Sequence, residues 1–199
     1  MANVTITENC EVEHLEVGAD KVKTLTIARQ GQTTKIVVGH SKIIVCGGAW
    51  TKLLLSNVGY SNNIEPVKGK MLLYKFAAPP LGAIGLFDGR YLIPRRDGHL
   101  LVGSTLEYAG FDKTVTQAAK VTLQASATSM LPELRKTEPI AQWAGLRPGS
   151  PQGIPQIGGV PGMQNMYVNA GQFRNGLVLA PASAKLLVDV ILSRASPID

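Results

Sequence analysis

The residue most suggestive of chemistry is Arg147, which follows the apolar run Trp143-Ala144-Gly145-Leu146 and precedes Pro148-Gly149. A guanidinium held there is partly withdrawn from water and needs an anionic partner, either a bound anion or a neighbouring Asp or Glu. Its planar fork suits a carboxylate in a way that a Lys ammonium does not. Most other chemistries are ruled out by spacing. No two glycines stand two positions apart, so the dinucleotide fingerprint G-x-G-x-x-G is missing. Gly69-Lys70 precedes Met71, so there is no Walker phosphate loop, and no serine has glycines two residues to either side. His14, His40 and His99 are isolated, without the pairing of a zinc site. Cys10 and Cys46 lie far apart without metal-ligand spacing, and Cys46, in an apolar run, reads as a buried thiol.

The elements that must position Arg147 are of mixed type. Residues 22–27 and 35–38 flank the turn-like Arg29-Gln30-Gly31-Gln32 and predict a hairpin. Lys42-Ile43-Ile44-Val45-Cys46 is a continuous apolar run expected to form a strand buried on both faces, with a short helix over residues 51–58 beyond Gly47-Gly48. Residues 71–76 are strand-like. Residues 90–94 and 99–103 form a second hairpin across Arg95-Arg96-Asp97-Gly98, where Asp-Gly is the turn signal. Val115, Ala118, Ala119, Leu123, Ala127 and Met130 make one helical stripe closed by Pro132. Residues 148–162 carry nine Pro or Gly in fifteen and predict a rigid irregular loop. A last helix is expected after Pro181, burying Ala184, Leu187, Val188 and Ile191. Composition shifts at Ser61-Asn62-Asn63, and the Pro/Gly loop marks a second boundary.

Composition limits the partners. At 45% apolar and 17% charged residues, the chain of 199 is a folded globular protein rather than a disordered one. The net charge of +6 raises nucleic acid as a partner, but the basic residues are scattered, with no run longer than Arg95-Arg96, so none is expected. The most apolar stretch, residues 176–192, is interrupted by Lys185 and Asp189 and is no membrane span. Without a signal-peptide pattern at Met1-Ala2-Asn3-Val4, the expected location is cytoplasmic.

Several stretches in order carry a more specific signal: Ile43-Ile44-Val45-Cys46-Gly47-Gly48-Ala49-Trp50; Pro66-Val67-Lys68-Gly69; Tyr91-Leu92-Ile93-Pro94-Arg95 followed by Val102-Gly103-Ser104-Thr105; Trp143-Ala144-Gly145-Leu146-Arg147-Pro148-Gly149; and Asn169-Ala170-Gly171-Gln172-Phe173-Arg174-Asn175-Gly176. Together they closely resemble the C-terminal half of the FAD-dependent D-amino-acid oxidase family, with the glycine oxidases of thiamine biosynthesis as the nearest branch. The likeness runs from about residue 4 to the end. It implies an α/β (α+β) fold: an incomplete FAD-binding Rossmann-like domain plus an antiparallel-sheet substrate domain. Residues 1–63 would be the middle segment of the FAD-binding domain, 64–143 the larger part of the substrate domain, and 144–199 the C-terminal segment of the FAD-binding domain. The N-terminal half with the glycine-rich fingerprint would be missing. FAD would then belong to the full-length protein and be absent from this chain, which would be inactive alone. An exposed cleft where that half docks would favour self-association as a homo-oligomer.

The resemblance also implies roles. Arg147 corresponds to the arginine that binds the substrate carboxylate, Tyr91 to a tyrosine whose hydroxyl helps hold it, and Arg174 to a second arginine near substrate and flavin. Gly48, Ala49 and Trp50 would line the flavin. Gln172, Phe173, Arg174, Asn175, Gly176, Leu177 and Val178 would run past the isoalloxazine, with the helix after Pro181 directing its positive end toward the flavin. The implied activity is oxidation of glycine, sarcosine or a D-amino acid at the Cα–N bond, with no catalytic dyad, because the cofactor carries the chemistry. Three positions depart from the family pattern. Gln172 stands where His is frequent, Lys70 where Glu or Gln is common, and Leu106 where a Met often borders the substrate. Lys70 is expected to alter the substrate-domain surface or the active-site entrance. The alternative function is a carboxylate-binding or assembly module without redox activity of its own.

Overall fold

The computed structural model describes residues 4–195. The chain divides into two compact units, one built from Met1–Glu65 with Pro148–Asp199 and the other from Pro66–Arg147.

The first unit opens with an antiparallel sheet of β1 (Cys10–Gly18), β2 (Lys21–Arg29) and β3 (Gln32–Val37). The β2–β3 turn falls on Gln30 and Gly31, both at positive φ, which matches the twist of a two-residue hairpin. β4 (Ile43–Val45) leads through one 3-10 turn, Gly48–Trp50, into the short helix α1 (Thr51–Ser56).

The second unit is one five-stranded sheet backed by a helix. β5 (Glu65–Lys75), β6 (Gly85–Phe87), β7 (Arg90–Pro94) and β8 (His99–Gly103) precede α2 (Gln117–Met130), and β9 (Ala141–Gly149) completes the order β6-β7-β8-β5-β9. Alternation along the strands sends Leu72 and Tyr74 of β5, Leu92 of β7, and Leu100 and Val102 of β8 to one face. There they pack with Leu123 and Ala127 of α2, all within 1% of full burial. Each leucine and valine among them contributes roughly 1.5–3 kcal/mol through removal of apolar surface from water. Thr116 caps α2 by accepting from the Ala119 N–H at 3.3 Å. The β7–β8 turn ends on Gly98 at φ +85, where an added Cβ would overlap the Phe76 carbonyl.

The chain then returns to the first unit with β10 (Gln156–Gly159), β11 (Met166–Ala170) and α3 (Gly176–Ile191). β11 runs antiparallel to β10 and parallel to β4, giving the order β10-β11-β4. Val45, Leu55, Ile64, Val160, Met166 and Val168 form its core with Leu15 and Val22. Buried Asn165 joins the two sheets of this unit: its amide oxygen accepts from the Val22 N–H and its amide nitrogen donates to the Val22 carbonyl, at 2.9 and 3.0 Å.

The mixed α/β class with antiparallel sheets and both predicted hairpins are present. Several local expectations are corrected. β4 is an edge strand of its sheet, so Ile44 is 46% exposed and Cys46 is an exposed free thiol rather than a buried one. The predicted loop over residues 148–162 contains β10, since Gly158 and Gly159 still pair with β11. α3 begins at Gly176, five residues before Pro181, which lies inside the helix. Its buried positions are Ser183, Leu187 and Asp189, whereas Val188 is 44% exposed. Buried Asp189 is paired with Lys185, one turn earlier, at 2.6 Å.

Candidate functional site

In the second unit, the face of the sheet opposite α2 is defined by register. Tyr91 pairs with Gly103 and Gly103 with Met71, so these three lie in a row across β7, β8 and β5. Ile93, Leu101 and Leu73 form the next row. Gln142 of β9 points the other way, donating to the Thr116 carbonyl at the start of α2, and so alternation puts Arg147, five residues on, on the Tyr91 face.

Glycine makes this face possible. A Cβ on Gly69 would overlap the Arg147 guanidinium, and a Cβ on Gly103 would overlap the Tyr91 ring and the Met71 sulfur. The guanidinium thus lies over bare β5 backbone, and the tyrosine ring over bare β8 backbone. The Tyr91 hydroxyl reaches the Met71 sulfur at 3.3 Å.

Arg147 is half-buried and, among the described residues, forms no ion pair with any Asp or Glu. Among the described residues its guanidinium makes one hydrogen bond, from Nη2 to Ser104 Oγ at 2.5 Å. Ser104 is itself 7% exposed, and its carbonyl accepts from the guanidinium of Arg90. The remaining Arg147 N–H donors leave a fixed cation that lacks an anion, which is the requirement of a carboxylate site. Sequence reasoning assigned no role to Gly69, Gly103, Ser104 or Arg90. The legible signal was glycine inside and at the end of predicted strands, which marks close approach by another group.

The opposite face, beneath α2, carries its own charges. Lys68 and Lys70 are 3% and 5% exposed. Lys68 pairs with Asp112 at 2.6 Å and Lys70 with Glu107 at 3.0 Å. The Lys68 hydrogen bond, followed by those from Thr114, pulls the Asp112 carboxyl down to about 2. Burial opposes the charge on Glu107, yet bonds from Thr105 and Lys70 outweigh it and hold its carboxyl below the ordinary range. Backbone bonds between Lys68 and Glu107 at 2.8 and 3.0 Å extend this hold to the segment directly after Ser104. Lys70 is therefore buried, tied to Glu107 and to Thr116 at the start of α2, and is not a residue of the substrate-domain surface.

The residues expected to meet the flavin lie in the first unit. Gly48 takes φ +54, and nothing stands within 4 Å of where its Cβ would be. Ala49 is buried and Trp50 is 47% exposed. The buried hydroxyl of Thr51, next in sequence, has no hydrogen-bond partner among the described residues. Gln172 donates to Asn169 at 2.6 Å, Phe173 sits at φ +49, and Arg174 and Asn175 are exposed. Because α3 starts at Gly176, Leu177 and Val178 occupy its first turn, 94% and 83% exposed, and the N–H groups there have no intrahelical acceptor. Free backbone donors beside exposed apolar side chains and an unpartnered buried hydroxyl fit a flat ring system with a polar edge. The correction to α3 moves its positive end from Pro181 to the Arg174-Asn175-Gly176 segment itself.

Among the described residues no cluster of His, Cys, Asp and Glu could hold a metal ion, and no helix is long and apolar enough to cross a membrane.

Comparison with known proteins identifies the family. The glycine oxidase of Pseudomonas aeruginosa is 48% identical over 198 residues, covering all of this chain and 53% of that protein. The glycine oxidase of Pseudomonas putida is 47% identical over 198 residues, covering all of this chain and 52% of that protein. The crystal structure of glycine oxidase from Geobacillus kaustophilus superposes with a TM-score of 0.81 at 27% identity, over 96% of this chain and 50% of that one. The chain thus spans about half the length of the curated relatives it matches. The sequence also matches the family described as DAO, FAD dependent oxidoreductase, over residues 1–190. The chain belongs to this family of FAD-dependent oxidoreductases.

Proposed function

We propose that this chain is the C-terminal portion of an FAD-dependent oxidoreductase that oxidises a small amino acid, glycine or a close relative, at its Cα–N bond. The observation that carries the reading is Arg147: half-buried, laid over Gly69, fixed by Ser104 and without an acidic partner among the described residues. Its free N–H donors bind the substrate's α-carboxylate as a bidentate pair, and the Tyr91 hydroxyl, its proton turned from the weakly accepting Met71 sulfur, adds a further donor. FAD, when bound, supplies the hydride acceptor. The first unit contributes to its site through Gly48, Ala49 and Trp50 and through Gln172, Phe173, Arg174, Asn175, Gly176, Leu177 and Val178, the last three offering first-turn N–H groups of α3 to the polar edge of the ring. Arg174 adds positive charge to that edge. Under this reading residues 1–65 and 148–199 belong to the FAD-binding domain and residues 66–147 to the substrate domain. The second half of the FAD site lies in an N-terminal partner half, so the 199-residue chain alone is colourless and inactive.

The names of the relatives favour glycine over larger amino acids. The test is anaerobic mixing of glycine with the protein after an N-terminal FAD-binding half has been supplied. Glycine-dependent bleaching of the flavin, lost in Arg147→Ala, is the expected result. A flavin-loaded protein that no amino acid bleaches overturns the proposal, as does visible flavin colour retained by the 199-residue chain for the assignment of the missing half.

A further inference from the structure

We propose that Ser104 is a positioning residue for the Arg147 anion site, holding the guanidinium plane so that its remaining donors converge on a carboxylate. The inference rests on the carboxylate reading above and adds to it the residue that gives the arginine its geometry.

A long side chain over bare backbone is free to rotate unless something fixes its head group, and Gly69 offers only clearance. Among the described residues the only hydrogen-bond acceptor for the guanidinium is Ser104 Oγ, at 2.5 Å from Nη2. That acceptor is buried and does not move with solvent. Its backbone is held on both sides. Before it, Gly103 pairs with both Met71 and Tyr91. After it, Thr105 and Glu107 bond to Lys70 and Lys68 of β5, and the Arg90 guanidinium bonds the Ser104 carbonyl itself. A hydroxyl has one proton and two lone pairs. With a lone pair engaged by Arg147, the Ser104 proton is free to point toward the same anion. Alanine would leave the cation half-buried but unoriented. Threonine would restore the hydroxyl.

Side-chain NMR of the 199-residue chain, with Arg147 assigned through Arg147→Lys, tests this without flavin. Expected in the unmodified chain are resolved, slowly rotating guanidinium protons for Arg147 and a shift of its Nε–H on titration with glycolate. Ser104→Ala collapses the resolved guanidinium signals and weakens glycolate binding about tenfold, as expected for one lost hydrogen bond to a charged group. Ser104→Thr restores both, and the backbone amide spectrum stays that of the folded chain in each variant. If Ser104→Ala leaves guanidinium rotation and affinity unchanged while Arg147→Ala loses glycolate, the positioning role is overturned and the anion site stands. If the unmodified chain ignores glycolate, the anion reading falls and this proposal with it.

Discussion

The two units arrange their candidate ligand-facing polar groups in opposite ways. In the second unit the candidate anion site lies on the face of a continuous sheet, and each participant has a partner within that unit: Arg147 on Ser104, Arg90 on the Ser104 carbonyl, Tyr91 on Met71. In the first unit the candidate flavin residues lie at the ends of elements: a 3-10 turn before a six-residue helix, and a loop running into α3. There the buried Thr51 hydroxyl has no hydrogen-bond partner among the described residues, and large apolar side chains such as Trp50, Leu177 and Val178 are exposed. A sheet face orders a site by register and needs no ligand to be ordered. Element ends leave donors open, and a ligand supplies what they lack.

The strongest way to break the comparison is to remove the order of the sheet. Leu72→Ala deletes a fully buried side chain between the sheet and α2 and is expected to cost roughly 2–5 kcal/mol. Hydrogen exchange should then accelerate for β7 and β8 amides while β4 and β11 amides keep their protection, and glycolate binding should weaken in parallel. Equal acceleration in both units would show that they unfold as one, and the contrast between a self-sufficient sheet and open element ends would lose its basis.

A narrower perturbation leaves the fold and moves only the arginine. Gly69→Ala places a methyl group where the Arg147 guanidinium lies, and the flexible side chain must leave its seat. Two charge-assisted hydrogen bonds to a carboxylate are then lost, so glycolate affinity should fall roughly 100-fold with little change in the unfolding midpoint. Calorimetric titration and thermal unfolding of one sample check both halves of that statement. Unchanged affinity would mean that the seat over Gly69 is unimportant to the anion.

How far the sequence made this legible follows the same division. The hairpin of β7 and β8 is encoded locally, because Asp97-Gly98 fixes the turn and alternation fixes the faces, so Tyr91 can be placed on a strand from its neighbours alone. Arg147 stands out because a charge follows an apolar run. Ser104 did not stand out, since its significance depends on Arg147, 43 positions away, and on a register that no local pattern specifies. In the first unit, Pro181 pulled the expected start of α3 five residues too late: proline suits a first helical position, but here it is tolerated further in. Cys46 and Ile44 read as buried because an apolar run implies cover on both faces, whereas β4 lies at the edge of its sheet and has one strand neighbour in it.

A third perturbation addresses the open element ends. Thr51 is fully buried with its hydroxyl unpartnered among the described residues, and Thr51→Val replaces that hydroxyl by a methyl group of similar shape. Removing a buried polar atom that has no partner is expected to raise stability by about 1 kcal/mol, read as a higher urea midpoint. A midpoint that falls would mean the hydroxyl is satisfied, and the first unit would then resemble the second.

The smallest expected effect concerns the charges that anchor the segment after Ser104. The Asp112 carboxyl is held at about 2, against an ordinary value of 3.8, by its bond to Lys68 and by Thr114. A carboxyl lowered on folding contributes stability that is fully present above its ordinary value and is lost as pH falls from there through about 2. Lys68 has the opposite sign. The Asp112 bond is the main cause that raises it on folding, so its contribution is present below its ordinary value of 10.5 and is lost as pH rises through the raised one. Between these windows the pair contributes a constant amount. Asp112→Asn should therefore lower the urea midpoint slightly at about pH 7 and flatten the decline seen in the unmodified chain below about pH 4. Asp112 is 43% exposed, Glu107 still faces the buried Lys68 ammonium at 3.7 Å, and the asparagine amide oxygen can still accept from it, which keeps the change small. Because this anchor lies on the α2 side of the sheet, glycolate affinity at neutral pH should change less than in Gly69→Ala. If the two variants weaken glycolate equally, the segment after Ser104 transmits the state of the lysine pair to Arg147, and the two faces of the sheet act as one device.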